Sequence, residues 1–193
     1  MGRLVIPVSA HDHALGPVDA TLTLLQYGDL QCPHCALVYA RVTEIAHELR
    51  DSLRFAFRHF PLAEVHPQAQ RAAEAAEAAA SQGRFWEMVS LLYANQEHLD
   101  DDSLVRYAKK ADLQTRRFKK ELSSGVHAAR VRSDFLGGVR SGVEGAPTIF
   151  INDERYQGTF EFDALVGALL KVSRGGSALG PADPSPDLRG RRT

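Results

Sequence analysis

Two cysteines separated by a proline and a histidine, Cys32-Pro33-His34-Cys35, stand where a strand pattern runs directly into a helix pattern, and the chain has no other cysteine. So short a loop constrains an unfolded chain of 193 residues very little, so a structural disulfide is a poor use for the pair. Ahead of it, Ala20 to Tyr27 is rich in Thr and Leu and reads as a strand. Behind it, Pro33 suits a first helical turn, where its missing N–H costs nothing, and Val38, Val42, Ile45 and Leu49 recur at helical spacing. Leu53, Phe55 and Phe57 alternate with Arg54, Ala56 and Arg58 as a second strand, stopped at Phe60-Pro61. The result is a β-α-β unit with parallel strands and a dithiol at its turn.

From Pro67 to about Gly142 the pattern is helical: an Ala-rich segment to Gln82, then Phe85, Met88, Val89 and Leu92, then shorter faces at Leu104 to Ala108, Phe118 and Leu122, and Val131 to Val139. Strand character returns at Thr148 to Ile151, Asn152-Asp153 supplies a turn, and Arg155 to Gln157 makes an antiparallel partner. A last helix carries Phe162, Leu165, Val166, Leu169 and Leu170 on the face packed against that sheet. The first seventeen residues show no periodicity and read as an arm, with His11-Asp12-His13 on its surface. The stretch 174–193, rich in Gly, Pro and Ser, reads as a disordered tail.

A cysteine at a helix start meets unpaired N–H groups and the positive end of the helix dipole, which lower a thiol pKa from about 8.5. That makes Cys32 the candidate nucleophile. Cys35, one turn on, is placed to resolve a mixed disulfide. His34 either adds a stabilising donor or is an exposed spacer. A zinc knuckle is the competing use of such a pair, but no second Cys-x-x-Cys or His-Glu-x-x-His completes a site, so no metal is expected. Pro147, entering a strand, reads either as a strand-edge proline or as a special, cis bond.

Four stretches together resemble the DsbA-like branch of the thioredoxin superfamily: Tyr27-Gly28-Asp29 with Cys32-Pro33-His34-Cys35; Phe57 to Leu62; Gly83 with Phe85-Trp86; and Gly142-Val143 with Gly145 and Pro147-Thr148. The resemblance implies an α/β, thioredoxin-like fold with an inserted all-helical domain: a thioredoxin-like domain from 18–62 and 142–173, the insert at 63–141, between an arm (1–17) and a tail (174–193). It also implies thiol-disulfide exchange at Cys32 and Cys35, with Pro33 and His34 between them, a cis Pro147 facing the dithiol, and Ala146 offering its backbone to an extended substrate. No cofactor is expected beyond the redox-active Cys32–Cys35 pair. The expected partners are protein or low-molecular-weight thiols and disulfides and a redox partner of unspecified kind.

Two features depart from the wider superfamily. The buried acid that many members carry six residues before the nucleophile is replaced by Gln26, which leaves Asp29 as the nearest acid, either a turn residue capping the helix start or a proton carrier. His59 and His66 flank a loop that could approach the dithiol. Two other readings remain: a glutathione-dependent isomerase or transferase of the same fold, against which the presence of both cysteines counts, and a metal- or protein-binding module with an idle dithiol. A formal charge of −1 gives no global attraction to nucleic acid, and the paired Arg116-Arg117 and Lys119-Lys120 read as a solvated helix face. No apolar run reaches membrane-span length, and Leu4-Val5-Ile6 is too short for a signal core, so the expected location is cytoplasmic.

Overall fold

The computed structural model describes residues 2–175. The tail expected at 174–193 therefore lies, from 176 onward, outside the described residues. Strand β2 (Leu22–Gly28) leads through a short turn into helix α1 (Pro33–Glu48) and back into β3 (Leu53–His59), which pairs parallel with β2 from Leu22↔Leu53 to Gly28↔His59. Five helices follow: α2 (Ala69–Ala80), α3 (Phe85–Tyr93), α4 (Asp101–Lys110), α5 (Thr115–Ser124) and α6 (Ala128–Arg140). The chain then returns as β4 (Thr148–Ile151), antiparallel to β2, turns at Asn152-Asp153 into the two-residue β5 (Glu154–Arg155), and ends in α7 (Phe162–Ser173). This is the expected thioredoxin-like sheet with helices inserted between β3 and β4.

Because side chains alternate along a strand, the sheet separates two cores. Leu24, Phe55, Phe57, Ile149 and Ile151 face one side with Cys35, Val38, Val42 and Ile45 of α1, the alanines of α2 and the apolar faces of α3 and α7. Leu25, Tyr27, Ala56 and Phe150 face the other, where Leu4, Phe60 and Val143 join them and Phe135 of α6 stacks on Phe60 at 4.5 Å. On α7 the buried stripe is narrower than expected: Leu165 and Leu169 are buried, whereas Leu170 is 44 % exposed.

The N-terminal arm is corrected by the structure. His13–Leu15 form β1, antiparallel to β3, so the sheet order is β1-β3-β2-β4-β5. At the far edge Leu4 N–H donates to Asp153 O and Arg155 N–H donates to Gly2 O. Two buried polar links hold the segment between. The Arg58 guanidinium donates to both Asp12 oxygens at 2.7 and 3.0 Å and to the carbonyls of Ile6 and Pro7. His13 Nε2 lies 2.8 Å from Glu77 Oε1 of α2, which is also 3.0 Å from His59 Nε2. A triplet expected on the surface thus supplies Asp12 and His13 to the interior; only His11 of the three is exposed.

Candidate active site

The dithiol sits where β2, α1 and the loop before β4 meet. Cys32 is the N-cap of α1, with extended backbone (φ −80°, ψ 119°), and Pro33 occupies the first turn. An N-cap side chain ordinarily accepts from the second or third helical N–H, here those of His34 and Cys35. The Cys32 thiol makes no capping bond, but the thiolate is what those groups favour. Its pKa is lowered to about 6, first by the hydrogen bond from the Cys35 side chain, and then, against the cost of burial, by the N–H groups of Cys35 and His34. The His34 ring itself is exposed, as is Pro33; among the groups that lower the Cys32 pKa, His34 acts through its main chain.

Cys35 lies deeper. It is fully buried against 7 % exposure for Cys32, and its thiol is pushed up by donating to Cys32 and by burial. The Asp29 N–H donates to Cys35 Sγ at 3.4 Å, and Gln26, buried on β2, donates its Nε2 to Cys35 O at 3.3 Å. Both thiols are free. Asymmetry of this kind gives the outer sulfur a thiolate near neutral pH and keeps the inner one protonated.

Opposite the pair, the Ala146–Pro147 peptide is cis, and Cys32 Sγ donates to Ala146 O at 3.7 Å. Between the two readings of Pro147 the structure therefore selects the special bond. The main chain of residue 146 stands beside the reactive sulfur.

Asp29 does not cap α1. It is buried, accepts from Gln31 N–H at 2.7 Å and Leu62 N–H at 2.8 Å, and lies 2.9 Å from His66 Nδ1. Of the two histidines flanking the loop, His66 reaches Asp29, whose N–H bonds Cys35. His59 points elsewhere, into the Glu77 network. His59, Glu77 and Asp134 carry atoms within 4.8 Å of one another, close enough for a cation, yet Arg130 already stands 3.8 Å from Glu77 and 3.4 Å from Asp134 as a positive partner.

Two residues of the site had no signal in the sequence. Gln96, in the loop after α3, donates Nε2 to Leu30 O at 3.1 Å and to Cys32 O at 2.9 Å, bracing the catalytic turn from the inserted helices. Tyr93 places a buried hydroxyl without a partner near Cys35 and Asp29. Both are contacts between positions about sixty residues apart, which periodicity does not reveal.

The family model described as Thioredoxin matches residues 9–171. Among curated proteins the chain is 40 % identical over 187 residues to "Na(+)/H(+) antiporter NhaA 1" of Salinispora arenicola, and 42 % identical over 170 residues to "Na(+)/H(+) antiporter NhaA 3" of Salinispora tropica. The matches take in 96 % and 88 % of this chain but only 28 % and 26 % of those proteins, so the chain spans about a quarter of their length. Among the described residues no helix is long and apolar enough to cross a membrane. Among solved structures, oxidised BdbD from Bacillus subtilis matches with a TM-score of 0.77 at 22 % identity, covering 85 % of this chain and 94 % of its own. Wolbachia pipientis alpha-DsbA1 matches at 0.75 and 19 %, covering 89 % and 95 %.

These likenesses overturn the cytoplasmic expectation. DsbA-like oxidoreductases act in oxidising, extracytoplasmic surroundings, where a disulfide persists, whereas cytosolic reductants keep dithiols open. With the family model covering most of the chain and the dithiol at the start of α1, the chain belongs to the thioredoxin family and has the DsbA-like fold.

Proposed function

We propose that this chain is a thiol-disulfide oxidoreductase in which Cys32 exchanges with substrate and Cys35 resolves. The observation that carries the reading is the inequality of the two sulfurs: one at a helix N-cap with its pKa drawn down to about 6, the other buried and held protonated. In the reducing direction the Cys32 thiolate bonds to one sulfur of a substrate disulfide and expels the other as thiolate. The Cys35 thiolate then bonds to Cys32 and expels the first substrate sulfur. The substrate gains two electrons, and the protein dithiol becomes a disulfide. The oxidising direction reverses each step.

Protein thiols and disulfides are the substrate class we assign, because a main-chain carbonyl at Ala146 beside the sulfur suits an extended peptide. His34 acts through its N–H, Pro33 starts the helix, and Pro147, which has no N–H, places no backbone donor of its own beside the sulfur. The test is insulin reduction by the full chain with Cys32→Ser as control. Turnover that vanishes in the variant supports the exchange; equal turnover, or none in wild type with both thiols intact, refutes it.

A further inference from the structure

We propose that Asp29 and His66 form a proton-carrying pair that takes up the Cys35 proton as Cys35 attacks the mixed disulfide at Cys32, and returns it when exchange runs the other way. The inference rests on the two-cysteine exchange proposed above and names the group that serves its second step.

The need comes from burial. Cys35 is fully enclosed, so the proton it must lose before attacking has no direct route to bulk water. At that moment Cys32 is tied up in the mixed disulfide and accepts nothing. Gln26, the buried β2 side chain nearest the Cys35 backbone, is an amide and does not titrate. The Tyr93 hydroxyl already holds its proton, and burial drives its pKa well up.

Asp29 is held beside the dithiol by one bond to Cys35 and by two that fix its carboxylate. Its own N–H donates to Cys35 Sγ, and its carboxylate is locked by the N–H groups of Gln31 and Leu62. Its charge is felt at Cys32, Cys35 and Tyr93, in each case opposing ionisation. The groups coupled to it are therefore the two cysteines of α1, Tyr93 of α3, and His66 of the loop between β3 and α2, the last at 2.9 Å. The His66 side chain is 23 % exposed while that of Asp29 is fully enclosed, so the pair reaches from the residue whose N–H bonds the buried sulfur out to solvent.

The charge balance gives the mechanism a direction. With His66 neutral, the Asp29 carboxylate leaves a net negative charge beside the sulfurs, and a thiolate at Cys35 is disfavoured. Moving the Cys35 proton through Asp29 onto His66 leaves imidazolium beside carboxylate, a neutral pair, and the new thiolate no longer faces an unbalanced charge. The thiolate then forms the Cys32–Cys35 bond, the substrate sulfur departs, and His66 releases the proton to water. Asp29 and His66 touch no substrate atom; they act through Cys35 and are positioning residues for its attack.

A stopped-flow experiment separates this from the exchange itself. Reduced protein is mixed with one equivalent of dithiobis-nitrobenzoate, which releases one coloured thiolate when Cys32 attacks and a second when Cys35 resolves. The second phase of wild type is expected to speed up as pH rises. His66→Gln should lose much of that dependence and slow the second phase by about 100-fold near neutral pH, the lower end for a lost general base, while leaving the first phase within about twofold; His66→Gly should recover speed with added imidazole. Asp29→Asn should slow the second phase too, with urea unfolding run alongside because Asp29 also holds two main-chain N–H groups. A His66→Gln profile superposed on wild type, or slowed equally at every pH without imidazole rescue, overturns the pair's role. Absence of a second phase in wild type would instead overturn the two-cysteine exchange.

Discussion

Replacing Cys35 with Ala tests what sets the Cys32 thiolate. The largest cause of its lowered pKa is the hydrogen bond from the Cys35 side chain, ahead of the N–H groups of Cys35 and His34, which the replacement leaves in place. A hydrogen bond to a charged group is worth about 1.5–3 kcal/mol. At about 1.4 kcal/mol per pH unit, its loss should carry the Cys32 pKa from about 6 to roughly 7–8. Cys35→Ser keeps an O–H donor and should stay near the wild-type value. The assay is iodoacetamide alkylation across pH, read as the pH of half-maximal rate. A rate at one pH misleads, because a thiolate of higher pKa is intrinsically more nucleophilic: the plateau for Cys35→Ala should exceed wild type by about 2.5- to tenfold, masking its smaller thiolate fraction near neutrality. A half-rate pH unmoved in Cys35→Ala would mean that the helix end and its N–H groups act alone. Wild type titrating near the free-cysteine value of about 8.5 would refute the placement of Cys32 at the helix end.

Three other outcomes are expected. Gln96→Ala removes donors to Leu30 O and Cys32 O and should cost about 1–2 kcal/mol in urea unfolding, with slower exchange at Cys32 and no change in the fold by circular dichroism. Gly28→Ala would place a methyl 2.5 Å from the Phe57 ring and 2.8 Å from the Tyr93 hydroxyl, an overpacking worth about 1–3 kcal/mol by the same measurement. Arg58→Met strands the buried Asp12 and should cost about 3–5 kcal/mol. Although burial alone would raise the Asp12 pKa, Arg58 and the Ser9 N–H hold it below its ordinary value. The pair's stability is therefore complete above the unfolded carboxylate pKa of about 3.9 and falls away as pH drops through the lower folded one, a wild-type acid loss that Arg58→Met should flatten.

The β-α-β unit, the helical block and the closing hairpin were legible because their apolar residues repeat within a few positions, as at Val38, Val42 and Ile45. β1 was not, because a three-residue His-Ala-Leu strand has no period to read and is fixed by partners far along the chain: Arg58 for Asp12, 46 residues away, and Glu77 for His13, 64 away. The same limit hid Gln96 and the Asp29–His66 contact, while Cys32 and Cys35 announced themselves through spacing alone. A polar side chain in a loop carries no mark of whether its partner is water or a carbonyl of the catalytic turn.

The segment from Gly2 to Leu15 pairs with β5 at one margin of the sheet and β3 at the other, crossing the second face in between. Unsatisfied strand margins recruit stray extended chains, and most folds blunt them with charge or proline. Here one continuous length of backbone lies along both, so the outermost partner at one margin is the three-residue β1 and at the other the single bridge between Arg3 and Glu154. Tethering β3 and β5 to one segment couples the two margins, so fraying at either is resisted by the hydrogen bonds the same segment makes at the other.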